Sequence, residues 1–232
     1  MFVFNYKYPP LMNRRLLKEG IDLANEDFFY SDAVDMVDKD VLSFIFDRRD
    51  AGKKKRVAEF DYTWPYPVDP EVYDGDYSQV FFVEVTVKRD VKNMTAPTNL
   101  SGGATSTEDG FNKLEIELEV APGVNLEDEY NDIVGELRGT LAHEMHHFTQ
   151  TDPFKRPDCP FLPERESDSY YHYFTSACEV PAFIIGFRAT AAHKGIPVSK
   201  LIDEYLDNYK NIGLLSSDEH AAVKDFWLNF RF

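Results

Sequence analysis

Two hydrophobic periods divide the chain. From Asn13 to Asn25, Leu16, Leu17, Ile21 and Ala24 share one helical face. From Ser31, a candidate N-cap, the residues Val34, Val37, Val41, Phe44 and Ile45 hold the same period up to Asp47. The pattern then changes. Val57 to Trp64, Gln79 to Arg89 and Leu114 to Val120 are rich in β-branched and aromatic residues and predict strands. In the last of these, Leu114, Ile116, Leu118 and Val120 alternate with Glu115, Glu117 and Glu119, which predicts an edge strand with one apolar and one carboxylate face. Beyond Pro122-Gly123 the helical period returns over Leu126 to Gln150, Ser169 to Lys194, Ser199 to Asn211 and Ser217 to Phe230. Helices, then strands, then helices describe an α+β domain.

The connections carry their own expectations. Arg48 to Arg56 is a basic run around Gly52 and reads as a solvated turn. Pro65 to Tyr77 is a Pro/Tyr/Asp loop, and Asn93 to Gly110, rich in Thr, Ser and Gly, predicts a long mobile or functional loop.

At 232 residues the chain makes one domain, 1–232, with helices and sheet in 1–125 and a helical part in 126–232. Its 43% hydrophobic and 15% aromatic content exclude global disorder. The formal charge of -16 repels a phosphate backbone, so nonspecific nucleic-acid binding is excluded as a function class. No run of about 18 apolar residues exists to span a membrane, and Met1 to Pro10 lacks the features of a signal peptide. The expectation is a cytoplasmic protein with no membrane partner. In that setting Cys159 and Cys178 read as ordinary semi-buried thiols, with a single disulfide as the alternative.

The informative residues are His143-Glu144-Met145-His146-His147. Two histidines four residues apart project from one face of a helix and can share a tetrahedral Zn²⁺. Glu144 lies about 100° around the helix from His143, placed to act as general base on a metal-activated water. Tyr130, Ile133, Val134, Leu137, Leu141, Met145 and Phe148 form the apolar stripe of this helix. Glu136, Thr140, His143 and His147 form a separate polar stripe that would face a cleft, with His146 pointing elsewhere. A catalytic zinc site normally has three protein ligands and one open position. After His147 the chain reads Phe148, Thr149, Gln150, Thr151, Asp152, so a third histidine of the HExxHxxGxxH type is absent.

On these residues the chain resembles the gluzincin branch of the zincin metallopeptidases, in which a glutamate on a downstream helix completes the site. The best match is Glu179, in Ser176-Ala177-Cys178-Glu179-Val180-Pro181-Ala182-Phe183, ahead of an apolar helix. Its Glu-x-x-Ala pattern is similar to the third-ligand helix of the ImmA/IrrE-like peptidases and of small phage-encoded HExxH proteins. The run from Leu141 to Gln150 is similar to that of the phage-encoded group. Competing carboxylates are Glu164, Glu166 and Asp168, and Pro181 departs from a regular ligand helix. The resemblance covers about Glu136 to Gly195. It implies a zincin-like fold: a small mixed sheet with an exposed edge strand, packed on the HExxH helix, followed by a mainly helical part.

The resemblance further implies hydrolysis of peptide bonds in a peptide or protein substrate, with zinc on His143, His147 and Glu179. Tyr170, Tyr171, His172 and Tyr173 supply candidate donors to the oxyanion, Tyr170 and Tyr173 foremost, against the competing reading of aromatic core packing. His193 is a further candidate. Zincins pair an edge strand with the extended substrate, so Leu114 to Val120 is the expected docking strand and Asn93 to Gly110 its lid. The acidic charge favours basic peptides. A different class of function is a zincin-fold binding or structural protein, for example phage-associated, whose zinc is closed by a fourth ligand such as Cys178 or His172. A metal hydrolase acting on a non-peptide amide or ester is the third option.

Overall fold

The computed structural model describes residues 31–50, 52–66, 77–106, 112–148 and 169–230. The expected helix over Asn13 to Asn25, residues 67–76 of the second loop, Cys159 and the carboxylates Glu164, Glu166 and Asp168 lie outside them. The elements in chain order are α1 (Ser31–Ile45), β1 (Lys55–Tyr66), β2 (Tyr77–Arg89), β3 (Thr98–Ser106), β4 (Asn112–Val120), α2 (Tyr130–Phe148), the short α3 (Tyr171–Phe174), α4 (Glu179–Lys194), α5 (Val198–Asn211) and α6 (Ser217–Asn229). This is an α+β arrangement whose C-terminal part is helical. No helix among the described residues is long and apolar enough to cross a membrane.

The sheet is mixed, in the order β1-β2-β4-β3. β2 pairs antiparallel with β1 and parallel with β4, and β3 pairs antiparallel with β4. β4 is therefore an inner strand, not the expected edge. Its glutamates are tolerated there because β2 and β4 carry the matching cations: Lys113 Nζ reaches Glu115 at 2.6 Å and Glu84 at 3.2 Å, and Lys88 Nζ reaches Glu117 at 2.5 Å. The edge beside the helices is β3, which lies where a long loop was expected. Its Thr/Ser/Gly composition has little strand propensity. It is a strand because β4 supplies a complete hydrogen-bonding partner and α2 covers one of its faces. Gly102 permits that cover, since a Cβ there would lie 2.4 Å from Thr140 Cγ2.

The apolar faces of α1, α2 and the sheet form one core. Val34, Val37, Val41 and Ile45 meet Val83, Val85, Leu114, Ile116 and Leu118 on the sheet, and Ile133, Leu137, Leu141 and Met145 on α2. Fully burying each such side chain stabilises the fold by roughly 1.5–3 kcal/mol. In the predicted apolar stripe of α2, Tyr130 stays exposed while Ile133 to Phe148 are buried.

The basic run does not behave uniformly as a solvated turn. Lys53 and Lys54 are exposed, but Arg56, the second residue of β1, is buried. α1 has no basic residue in its last turn, and Arg56 donates to the carbonyls of Phe44, Ile45 and Asp47 at 3.0, 2.7 and 3.2 Å. The guanidinium thus satisfies acceptors that the helix end leaves open.

A second cluster joins α3, α4, α5 and α6 around Trp227, which stacks on Phe183 and donates from Nε1 to the Phe174 carbonyl at 2.7 Å. The single helix expected over Ser169 to Lys194 is broken into α3 and α4. Pro181 explains where α4 begins: it is the third residue of that helix, where a missing N–H has no intrahelical partner to lose.

Candidate metal centre

α2 and α4 cross at two glycines. A Cβ on Gly186 would lie 2.8 Å from the Gly139 carbonyl oxygen and 3.2 Å from His143 Cβ, and one on Gly139 would lie 2.0 Å from Thr190 Oγ1. With no side chain at either position, the helix axes approach closely enough for the first turn of α4 to reach the last turn of α2. The sites that meet there are His143, His147 and Glu179.

The Nε2 atoms of His143 and His147 are 3.1 Å apart, and Glu179 Oε2 lies 3.5 Å from each of them. A tetrahedral ion with ligand bonds of about 2.0–2.1 Å holds its ligands about 3.3–3.4 Å apart, so this triangle has the required size. Glu179 Oε2 is also buried without a hydrogen-bond partner. An orphaned carboxylate oxygen carries a desolvation cost that an ion would remove. The donor set, two imidazoles and one carboxylate, therefore fits a divalent cation. Burial alone would push the Glu179 carboxyl up, but the His143 and His147 rings overcome it and hold it at about 2. The position of Glu179 in the first turn of α4 favours its charge as well.

The rings are fixed from outside the triangle. Phe183 meets the His143 ring edge-on at 4.6 Å between centroids, and the two imidazoles stand 75° apart. Glu144 is buried, and its carboxylate lies within 4.8 Å of ligand atoms on both histidines. It turns toward β3: its Cγ lies 3.4 Å from where a Cβ of Gly102 would stand. His146, expected to point away from the polar stripe, is buried.

The aromatic candidates separate. The Tyr173 hydroxyl faces Glu179, and burial first, then the Glu179 and Glu144 carboxylates, pushes its pKa far above the ordinary phenol value. Tyr170 packs against Tyr173, Phe174 and Tyr209, with no contact to the triangle among the described residues. His172 is exposed and touches the Tyr171 ring, while His193 sits beside Gly135, two turns of α2 before His143. Of the polar stripe on α2, Glu136 pairs with Lys194 of α4 and Thr140 abuts β3.

Cys178 is disulfide-bonded, so the reading of it as a free thiol is corrected. That reading rested on the expected compartment, which carries no information on whether two side chains meet. Signals missed in the sequence were Gly102, Gly139 and Gly186, whose role lies in what their absent side chains allow to approach. Comparison with protein-family models, with curated proteins and with solved structures gives no match.

Proposed function

We propose that the chain is a zinc-dependent metallopeptidase of zincin-like, gluzincin-type construction, with zinc on His143, His147 and Glu179. The observation that carries this reading is the buried, unpartnered Glu179 Oε2 converging with two imidazole nitrogens at tetrahedral spacing. When bound, zinc would acidify a water molecule and polarise a carbonyl oxygen. Glu144 takes a proton from the attacking water and returns it to the leaving amine. Its burial beside the metal group supports that role. Tyr173, held protonated, is a hydrogen-bond donor at the Glu179 side of the site, and Tyr170 supports its ring edge-on.

β3 takes the place of β4 as the docking strand. It pairs with β4 along one edge, and its residue Gly102 adjoins Thr140 and Glu144. Its other edge, unpaired among the described strands, suits an extended peptide added as a further strand. The second reading, a binding or structural protein with a closed zinc site, needs a fourth protein ligand. The thiol of Cys178 is consumed in a disulfide, and His172 is exposed and acts on Glu219 instead. Both facts support an open position.

The test is metal analysis together with cleavage of a peptide library. Glu144→Gln is expected to bind zinc and lose hydrolysis, and His143→Ala to lose both. Stoichiometric zinc with no cleavage by the wild-type protein would favour the second reading.

A further inference from the structure

Every second residue of β2 faces the core. Val83, Val85 and Val87 are fully buried, and the next position in that alternation is Arg89, paired with the buried Val120 of β4. A guanidinium therefore stands where the pattern calls for an apolar side chain. Its Nε is enclosed without a hydrogen-bond partner, and its terminal nitrogens make no hydrogen bond or ion pair among the described residues. Other side chains with an enclosed, unsatisfied atom are held by a further group, Asp38 by Arg138 and Arg56 by the carbonyls at the end of α1. Arg89 is not. Withdrawing a cation from water without an acceptor is costly, so stability does not explain its presence.

Arg89 lines a cavity of about 300 Å³ between the end of α1 and the segment that precedes α2. That volume falls at the small end of the range for small-molecule sites, about 300–1,000 Å³. Ile45, Phe46, Val124 and Leu126 give the cavity an apolar wall. The remaining charges around it are already matched. Asp47 is taken by Arg49, whose Nη2 and Nε donate to its Oδ2 at 2.6 and 2.9 Å, and Glu127 is taken by Arg48. With these pairs closed, Arg89 is the charge left over, and the cavity accommodates one negative charge.

We infer that this cavity binds a small organic acid, a single carboxylate on an apolar body. The carboxylate accepts two parallel N–H bonds from the Arg89 fork, and the body lies against Ile45, Phe46, Val124 and Leu126. A phosphate dianion suits the site less, because the Asp47 and Glu127 carboxylates flank it and the apolar wall stays uncovered. The cavity is separate from the metal centre. It precedes the first turn of α2, whereas His143 and His147 lie near the end of that helix, and Tyr130 to His143 alone spans about 20 Å. The inference therefore does not depend on the peptidase reading.

Isocaproate, its neutral counterpart isocaproamide and inorganic phosphate are titrated calorimetrically into the intact chain, with thermal melting in parallel. Isocaproate is expected to bind at least about tenfold tighter than either of the others and to raise the melting temperature, with the advantage over the amide shrinking as salt rises. Arg89→Met is expected to reduce isocaproate binding to the level of the amide. It should leave the melting temperature of the ligand-free protein unchanged or higher, because it removes a charge that no group of the fold satisfies. Val124→Glu, which places a carboxylate of the chain itself in the same cavity, is expected to exclude isocaproate too, and zinc affinity is expected to be the same in all three proteins. Equal binding of the acid and the amide, tighter binding of phosphate, or undiminished isocaproate binding in Arg89→Met overturns the inference. So does a melting temperature several degrees lower in Arg89→Met, which would show that the fold itself uses the guanidinium. A pentapeptide ending in leucine that bound tenfold tighter than isocaproate would make the occupant a chain terminus and overturn the small-acid assignment.

Discussion

Replacing Gly186 by alanine tests whether the close crossing of α2 and α4 creates the metal centre. The new Cβ would stand 2.8 Å from the Gly139 carbonyl oxygen and 3.2 Å from His143 Cβ. The nearest obstacle is backbone, which no rotamer change can move. Restoring ordinary contact, at about 3.4 Å, requires α4 to retreat by about 0.6 Å. Glu179 lies about two turns earlier on the same rigid helix and moves with it, so its 3.5 Å separations from the imidazoles open to about 4 Å. That exceeds the ligand spacing of about 3.3–3.4 Å that a tetrahedral ion tolerates.

Two effects on stability oppose each other. Overpacking costs about 1–3 kcal/mol, and alanine regains about 1 kcal/mol in helix propensity. The net loss is roughly 0–2 kcal/mol, a few degrees in melting temperature for a chain of this size. Metal binding has no such offset. Its affinity is expected to fall by about 10–100-fold, the scale seen when a group that orients a ligand is lost. Zinc affinity is measured by competition with a chromophoric chelator, and stability by thermal melting of the metal-free protein. Gly103→Ala, where a Cβ meets nothing within 4 Å, is the control and should leave both unchanged. A Gly186→Ala protein that binds zinc as tightly as wild type would refute the argument that this crossing sets the triangle.

Three further outcomes are expected. Reducing the Cys178 disulfide, or Cys178→Ser, frees the start of α4 one residue before Glu179 and should cost about 2–4 kcal/mol; thermal melting with and without a dithiol, with zinc retention scored in parallel, checks it. Arg56→Met leaves three carbonyl acceptors at the end of α1 without their donor and should cost about 2–4 kcal/mol, read as a lower urea midpoint. In the metal-free protein Glu179 titrates at about 2 instead of its ordinary 4.5, so its contribution to stability is complete above about pH 4.5 and is lost as pH falls toward 2. Glu179→Gln should flatten that part of the acid unfolding profile, and an unchanged profile would show that the two imidazoles do not hold the carboxylate.

Much of the fold is legible in the hydrophobic periods, because burial follows them directly. The α1 repeat at Val34, Val37, Val41 and Ile45 and the alternation in β4 both correspond to core-facing residues. The HExxH spacing likewise brings two imidazoles together, since i and i+4 meet on any helix. What the sequence did not disclose depends on pairing across the chain. β3 looks like a loop until its partner β4 is known, and β4 looks like an edge until β3 covers it. Arg56 looks solvated until the open carbonyls of α1 are placed beside it.

Pairing across the chain also sets how the centre lies on α2. Successive residues on a helix are rotated by about 100°, so His143 and Glu144 address different neighbours. His143 meets α4 where Gly186 lacks a side chain, and Glu144 meets β3 where Gly102 lacks one. A side chain at Gly186 would push the third carboxylate away from the imidazoles, and one at Gly102 would collide with Thr140 and crowd Glu144. α2 is therefore clamped between a helix and a strand by two absences, one setting the ligand triangle and the other the approach of Thr140 and Glu144 to β3. Gly102→Ala should on this argument keep zinc affinity near that of wild type and impair peptide turnover, the opposite division from Gly186→Ala. A Gly102→Ala protein that lost zinc while Gly186→Ala kept it would show that the two contacts do not divide the work in this way.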